Sequence, residues 1–154
     1  MFDKLFINGE CFINGRLDKK DIGITNGVIR SLGDLKQERA KEVIDCQGMK
    51  IIPGIIDTQV HFREPGNTHK EDLESGSRAA ALGGVTTFFE MPNTNPSTTT
   101  KEALREKLTR AKNSSHVNYA FFIGATEENI DEIQKCVGMS GLCGVKIFLG
   151  SSTG

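Results

Sequence analysis

From Pro53 onward the chain repeats one rhythm: a strand-length apolar run, a polar turn, then a helix-length stretch. The runs are Ile55 to His61, "GVTTFFEM" (Gly84 to Met91), "VNYAFFIGA" (Val117 to Ala125) and "CGVKIFLG" (Cys143 to Gly150). Strands joined by helical crossovers must run parallel, so this spacing restricts residues 53–154 to an α/β architecture with a parallel sheet. Three helices are predicted between the runs. The first spans about Lys70 to Leu82 and opens on Thr68-His69-Lys70-Glu71, which has the form of a capping box. A second opens on Thr99-Thr100-Lys101-Glu102 and runs to about Lys112, with Leu104 and Leu108 one turn apart. A third, capped by Thr126, covers Glu127 to about Val137 with an acidic first turn.

Residues 1–52 follow a different pattern. "KLFING", "ECFING", "DIGITNGVIRSLG", "EVIDC" and "KIIPG" are brief apolar runs punctuated by Asn-Gly or Gly, which predicts a small antiparallel β-module preceding the α/β part. Four strand-helix units fit either an open doubly wound sheet or half of a (β/α) barrel. A closed barrel needs eight units and typically about 250 residues. A chain whose last strand has no covering helix is therefore expected to be the front part of a longer protein.

Composition narrows the partners. Charged residues are 25% of the 154, apolar residues 37%, and the net charge is -1. Nothing in that balance favours nucleic acid or an anionic membrane, and a small-molecule substrate is the expectation. No run of 18 uncharged apolar residues occurs and the first residues carry Asp3 and Lys4, so a cytoplasmic protein is expected. Cys11, Cys46, Cys136 and Cys143 form no C-x-x-C pair and read as buried thiols.

Ligands of parallel α/β folds bind at the carboxyl ends of the strands, and the unusual polar residues fall there. Asp57, Gln59 and His61 alternate along the first run, so a period of two puts them on one face, with Arg63 just beyond. Asn93 follows the second run in "EMPNTNP", and Lys146 interrupts the apolar fourth. Taken singly, each has an ordinary explanation: a satisfied core histidine, a turn asparagine, a lysine snorkelling to water. Their coincidence at one end of one sheet favours a site. His69 and His116 are expected to face solvent. No G-x-G-x-x-G or P-loop pattern is present.

Together "PGIIDTQVHFREPG", "KEDLESGSRAAALGGVTTFFEMPNTNP" and "GVKIFLGSSTG" resemble dihydroorotases of the amidohydrolase superfamily. "EVIDCQGMKIIPG" is similar to the close of the amino-terminal part of the small sandwich that those enzymes carry beside their barrel. The "HFREPG" form is like dihydroorotases, whereas allantoinases and hydantoinases usually lack that arginine. The resemblance implies a (β/α)8 TIM-barrel fold, of which this chain supplies the first four β/α units (53–154) after part of a small β-sandwich (1–52).

It also implies metal-assisted interconversion of (S)-dihydroorotate and N-carbamoyl-L-aspartate in pyrimidine biosynthesis. One or two zinc ions would be held by His61, Gln59, Asp57 and Lys146, with Lys146 carbamylated and bridging. Arg63 and Asn93 match the positions that hold the substrate's carboxylate. A homo-oligomer is the expected assembly, and aspartate transcarbamoylase is the partner expected in a scaffold role. The family pattern on the first strand is D-x-H-x-H, and this chain has Gln59 at the first histidine place. An amide oxygen is a neutral, harder donor than imidazole, so one metal position is expected to be weak. Two other readings follow: a non-catalytic scaffold that keeps the fold, and a hydantoinase- or allantoinase-like hydrolase of another cyclic ureide.

Overall fold

A computed structural model describes residues 1–150. The chain divides into two compact units, Met1–Pro53 and Gly54–Gly154.

The first unit contains β1 (Phe2–Ile7), β2 (Glu10–Ile13), β3 (Arg16–Lys19), β4 (Asp21–Thr25), β5 (Val28–Gly33), β6 (Ala40–Asp45) and β7 (Lys50–Ile51). Two-residue Asn-Gly turns build its hairpins. Asn14 and Gly15 have φ of 50° and 83°, and Asn26 and Gly27 have 53° and 71°, the paired left-handed values that match hairpin twist. The strands form two sheets, β5-β4-β1-β6 and β3-β2-β7. They are mixed, not antiparallel as the sequence suggests. β6 reaches the far edge of β1 and pairs with it parallel, and β7 does the same to β2, because each returns by a longer connection and not a hairpin. Strand β3 has no apolar run to announce it; the Asn14-Gly15 turn folds it onto β2. Buried Asp21 ties the unit together, accepting backbone hydrogen bonds from Asn8 (3.0 Å) and Leu35 (2.9 Å).

The second unit runs β8 (Ile55–Val60), α1 (Leu73–Leu82), β9 (Val85–Glu90), α2 (Lys101–Ser114), β10 (Asn118–Gly124), α3 (Ile130–Cys136), β11 (Leu142–Lys146). All strand pairs are parallel, and the order β11-β10-β9-β8 follows the sequence without reversal. A doubly wound sheet would reverse at a switch point; among these four strands none occurs. Leu73 of α1, Leu104 and Ala111 of α2 and Cys136 of α3 share one core with Phe88, Phe121 and Ile123, so the helices cover one face. Phe62 closes that core just past β8, its ring 4.8 Å from Phe88 edge to face. Gly76 lets α1 approach, since a Cβ there would lie 2.6 Å from the Phe62 ring.

The helix starts differ from expectation. α1 is capped by Asp72, which exchanges a reciprocal capping box with Ser75; Thr68 to Lys70 form a turn. The first residue of the apolar face is Leu73, fully buried, and Asp72 immediately before it is the acceptor in position. At α2 the cap is Thr100, whose hydroxyl accepts from the Ala103 amide at 3.1 Å. α3 begins three residues later than the acidic run implies. Buried Asn129 braces the preceding loop, accepting from the Thr126 amide and donating to the carbonyls of Thr99 and Gly124.

Among the described residues the cysteines form no disulfide; Cys11, Cys46 and Cys136 are buried and Cys143 is half-buried. No helix of the described residues is long and apolar enough to cross a membrane.

Candidate active site at the strand ends

Val60 and Phe62 both pack against the helix-side core. Alternation then turns Gln59 and His61 to the opposite, open face. Asp57 does not follow the same simple period. The register of β8 on β9 slips between Asp57 and Val60, so strict alternation across the whole stretch fails there, and Asp57 lies opposite Phe88 of the core. Its Oδ1 accepts the Gln59 amide at 3.0 Å. Both side chains are exposed.

His61 meets Asn93 directly: Nδ1 lies 2.9 Å from Oδ1. The amide oxygen can only accept, so Nδ1 carries a hydrogen, and in the neutral ring the lone pair then belongs to Nε2. That is the second-sphere arrangement by which metal-binding histidines are oriented. The loops bearing the two residues also touch. The Asn95 amide donates to the Pro65 carbonyl at 3.1 Å, and Gly66, at φ 109°, sits where a Cβ would collide with Asn95. Arg63 is half-buried within this junction, its amide donating to the Glu71 carbonyl and its carbonyl accepting from Asn67.

Lys146 ends β11, at the edge of the sheet opposite β8. A bulge at Cys143 decides where it points. Phe121 pairs with Leu142 but Phe122 pairs with Gly144, so Lys146 aligns with Gly124 and Val145 with core residue Ile123. Lys146 thereby shares the open face with His61, at the same carboxyl end of the sheet. Lys146 is half-buried, and the apolar residues around it give it little cover. Val145, Ile147 and Phe148 are themselves 44%, 61% and 38% exposed, because β11 is an edge strand among the described residues. The ammonium stands 5.2 Å from the Phe148 ring centre. The Ser151 to Gly154 end of the third motif lies outside the described residues.

Sequence reasoning missed a fully buried pair behind the site. Glu90, at the end of β9, lies 2.8 Å from Lys107 of α2, and their side chains are 0% and 1% exposed. Lys107 also donates to the Met91 carbonyl at 3.4 Å and stands 5.0 Å from the centre of Phe121. Beyond that ammonium the carboxylate has no hydrogen-bonding partner among the described residues. Burial pushes the Glu90 carboxyl up to about 7 against the pull of Lys107, and burial likewise lowers the Lys107 pKa against the pull of Glu90. Two signals were available: a charge closing the apolar run "TTFFE", and a lysine in register with Leu104, Leu108 and Ala111 on the apolar face of α2.

His69 is exposed; His116 is half-exposed and its Nε2 meets Glu74 at 3.0 Å. Concave pockets lie elsewhere, one in the first unit around Lys19, Asp21 and Lys36, the other by Thr86 and His116 at the amino end of the parallel sheet. Among the described residues no three His, Cys, Asp or Glu side chains converge on a metal position.

A family model described as dihydro-orotase-like matches residues 48–144. The chain belongs to the dihydro-orotase-like family. An allantoinase of Rubrobacter xylanophilus is 39% identical over 151 residues, covering 97% of this chain and 33% of that protein. A dihydroorotase of Bacillus pumilus is 42% identical over 118 residues, covering 77% and 28%. Among solved structures, L-hydantoinase (dihydropyrimidinase) from Arthrobacter aurescens superposes with a TM-score of 0.90 at 30% identity, over 99% of this chain and 34% of that one. This dihydro-orotase-like chain thus spans about a third of the length of the relatives it matches. The relatives' names are those of cyclic amidohydrolases and divide among dihydroorotase, allantoinase and hydantoinase, so the family is shown and the substrate is not.

Proposed function

We propose that this chain forms the first half of a (β/α)8 barrel in a metal-dependent cyclic amidohydrolase acting on (S)-dihydroorotate. The observation that carries the reading is the His61–Asn93 contact at 2.9 Å, which joins an oriented imidazole to an amide at one strand end, with Arg63 two residues further along the same loop. In the reaction a water oxygen bonds to the ring carbonyl carbon, the carbon–nitrogen bond breaks, and the departing nitrogen takes a proton, giving N-carbamoyl-L-aspartate.

Bound zinc would polarise that carbonyl and lower the pKa of its water toward neutrality. The residues of this chain that fit it are His61, through Nε2, and Lys146, which shares the open face and as a carbamate would offer carboxylate-like oxygens. Gln59 fits poorly, its neutral amide oxygen being a weak zinc donor. Asp57 is the remaining oxygen donor on this strand. Arg63 offers a planar fork of donors to the substrate carboxylate, and Asn93 holds His61 in place while bordering the same position.

A hydantoinase- or allantoinase-like activity is the second reading, favoured by the 39% identity to an allantoinase and the likeness to L-hydantoinase. Arg63 supports dihydroorotate, because a hydantoin ring has no carboxylate to meet it. The complete protein, loaded with zinc, is to be assayed on dihydroorotate, hydantoin and allantoin. Turnover of dihydroorotate is expected; turnover of only the other two overturns the assignment. A complete protein that takes up no zinc and turns over none of them would be the scaffold.

A further inference from the structure

Helix α2 holds both loops that carry the candidate site, and it does so with two cations one turn apart. Lys107 reaches Glu90 and the Met91 carbonyl at the end of β9, two residues before Asn93. Arg110, three residues on and hence on the same helix face, reaches Glu64 Oε1 at 3.1 Å, directly after Arg63. The other oxygen of Glu64 accepts the Leu73 amide at 3.0 Å, which fastens that loop to the start of α1. Glu106 Oε1 accepts from Arg110 at 2.6 Å and fixes the guanidinium from the side. The two grips are close enough for Glu64 and Arg63 to act electrostatically on Glu90. Met91 completes the link, its amide donating to the Val60 carbonyl beside His61.

We propose that Lys107 and Arg110 are positioning residues, which by holding Glu90 and Glu64 fix the separation between Asn93 and Arg63 and so set the width of the carboxylate-binding position. Neither touches the candidate substrate position; each acts through the loop it holds. This deepens the dihydroorotate reading and rests on it for its kinetic consequence, though not for its structural one. A buried charge left alone is strongly destabilising, so the β9 grip is removed as a pair.

In the complete protein, Arg110→Met and the double variant Glu90→Gln/Lys107→Met are compared with Arg105→Ala, an exposed position on α2, by amide hydrogen exchange and by kinetics on dihydroorotate. Arg110→Met is expected to speed exchange at the Arg63, Asn67 and Asn95 amides by about tenfold or more, leaving the Phe121 amide of β10 unchanged. It is expected to raise KM about tenfold with kcat within about twofold and zinc content intact. Unchanged loop exchange and unchanged KM in a folded Arg110→Met variant overturn the proposal, as does an equal effect of Arg105→Ala. Should the double variant fail to fold, Arg110→Met decides alone, since its ion pair is half-exposed. Absence of dihydroorotate turnover in the unmutated protein sinks the functional reading, while the exchange comparison still tests the role of α2.

Discussion

The Nδ1 of His61 and the Oδ1 of Asn93 lie 2.9 Å apart, linking the residue that follows one strand to a loop residue that follows the next. That contact selects, for the neutral ring, the tautomer that leaves the lone pair on Nε2, the nitrogen proposed to meet a metal. Asn93→Ala in the complete protein is therefore expected to weaken zinc binding about 10–100-fold, the usual cost of losing such an orienting partner. Competition against a chelating dye measures it; unchanged affinity would show that Asn93 serves only elsewhere.

Gln59 stands beside Asp57 on an exposed stretch of β8, where an imidazole would add a second nitrogen donor two residues from His61. Gln59→His is expected to raise zinc stoichiometry or affinity, read by elemental analysis after dialysis at fixed free zinc. An unaltered metal content would mean that the slipped register between Asp57 and Val60 directs position 59 away from the metal.

Arg63→Ala removes the guanidinium proposed to meet the substrate carboxylate. Loss of a charge-assisted hydrogen bond of about 1.5–3 kcal/mol corresponds to a KM for dihydroorotate raised roughly 10–100-fold. Steady-state kinetics at saturating zinc checks it, and hydantoin, which has no carboxylate, serves as the insensitive control.

Glu90 makes stability depend on pH in an unusual direction for a carboxylate. Its pKa is raised from 4.5 to about 7 by burial, so the folded chain binds a proton that the unfolded chain has released. The contribution is fully present below about pH 4.5 and is lost as pH rises toward about 7. Lys107, whose ammonium offsets part of the cost, limits the size of the effect. Urea unfolding at pH 5 and pH 7.5 should show the double variant Glu90→Gln/Lys107→Met removing a decline that the unmutated protein has; parallel curves would contradict it.

Gly76→Ala tests the packing of α1. The added methyl would fall 2.6 Å from the Phe62 ring, and a destabilisation of about 1–3 kcal/mol is expected from overpacking. The same unfolding measurement reads it.

The parallel strands were legible from the sequence because apolar runs bounded by turns and capped helices are local signals. Their order without reversal was not, since it depends on which strand each helix returns to. His61, Arg63, Asn93 and Lys146 could be placed at strand ends by counting. The contact between His61 and Asn93 could not, because it spans 32 residues and is made by loops. Asp57 shows the limit of counting in twos: one slipped register suffices to spoil it. Glu90 and Lys107 were readable as charges within apolar patterns, but only the fold brings those patterns together.

The extra residue in β11 has a consequence for how this sequence tolerates change in length. Removing Cys143 would leave every neighbouring side chain intact and restore an unbroken ladder between β10 and β11. It would also rotate Lys146 by one place, toward the layer of helices, and bring Val145 round in its stead. A single-codon deletion there would therefore turn Lys146 to the other face of the sheet without touching the lysine itself.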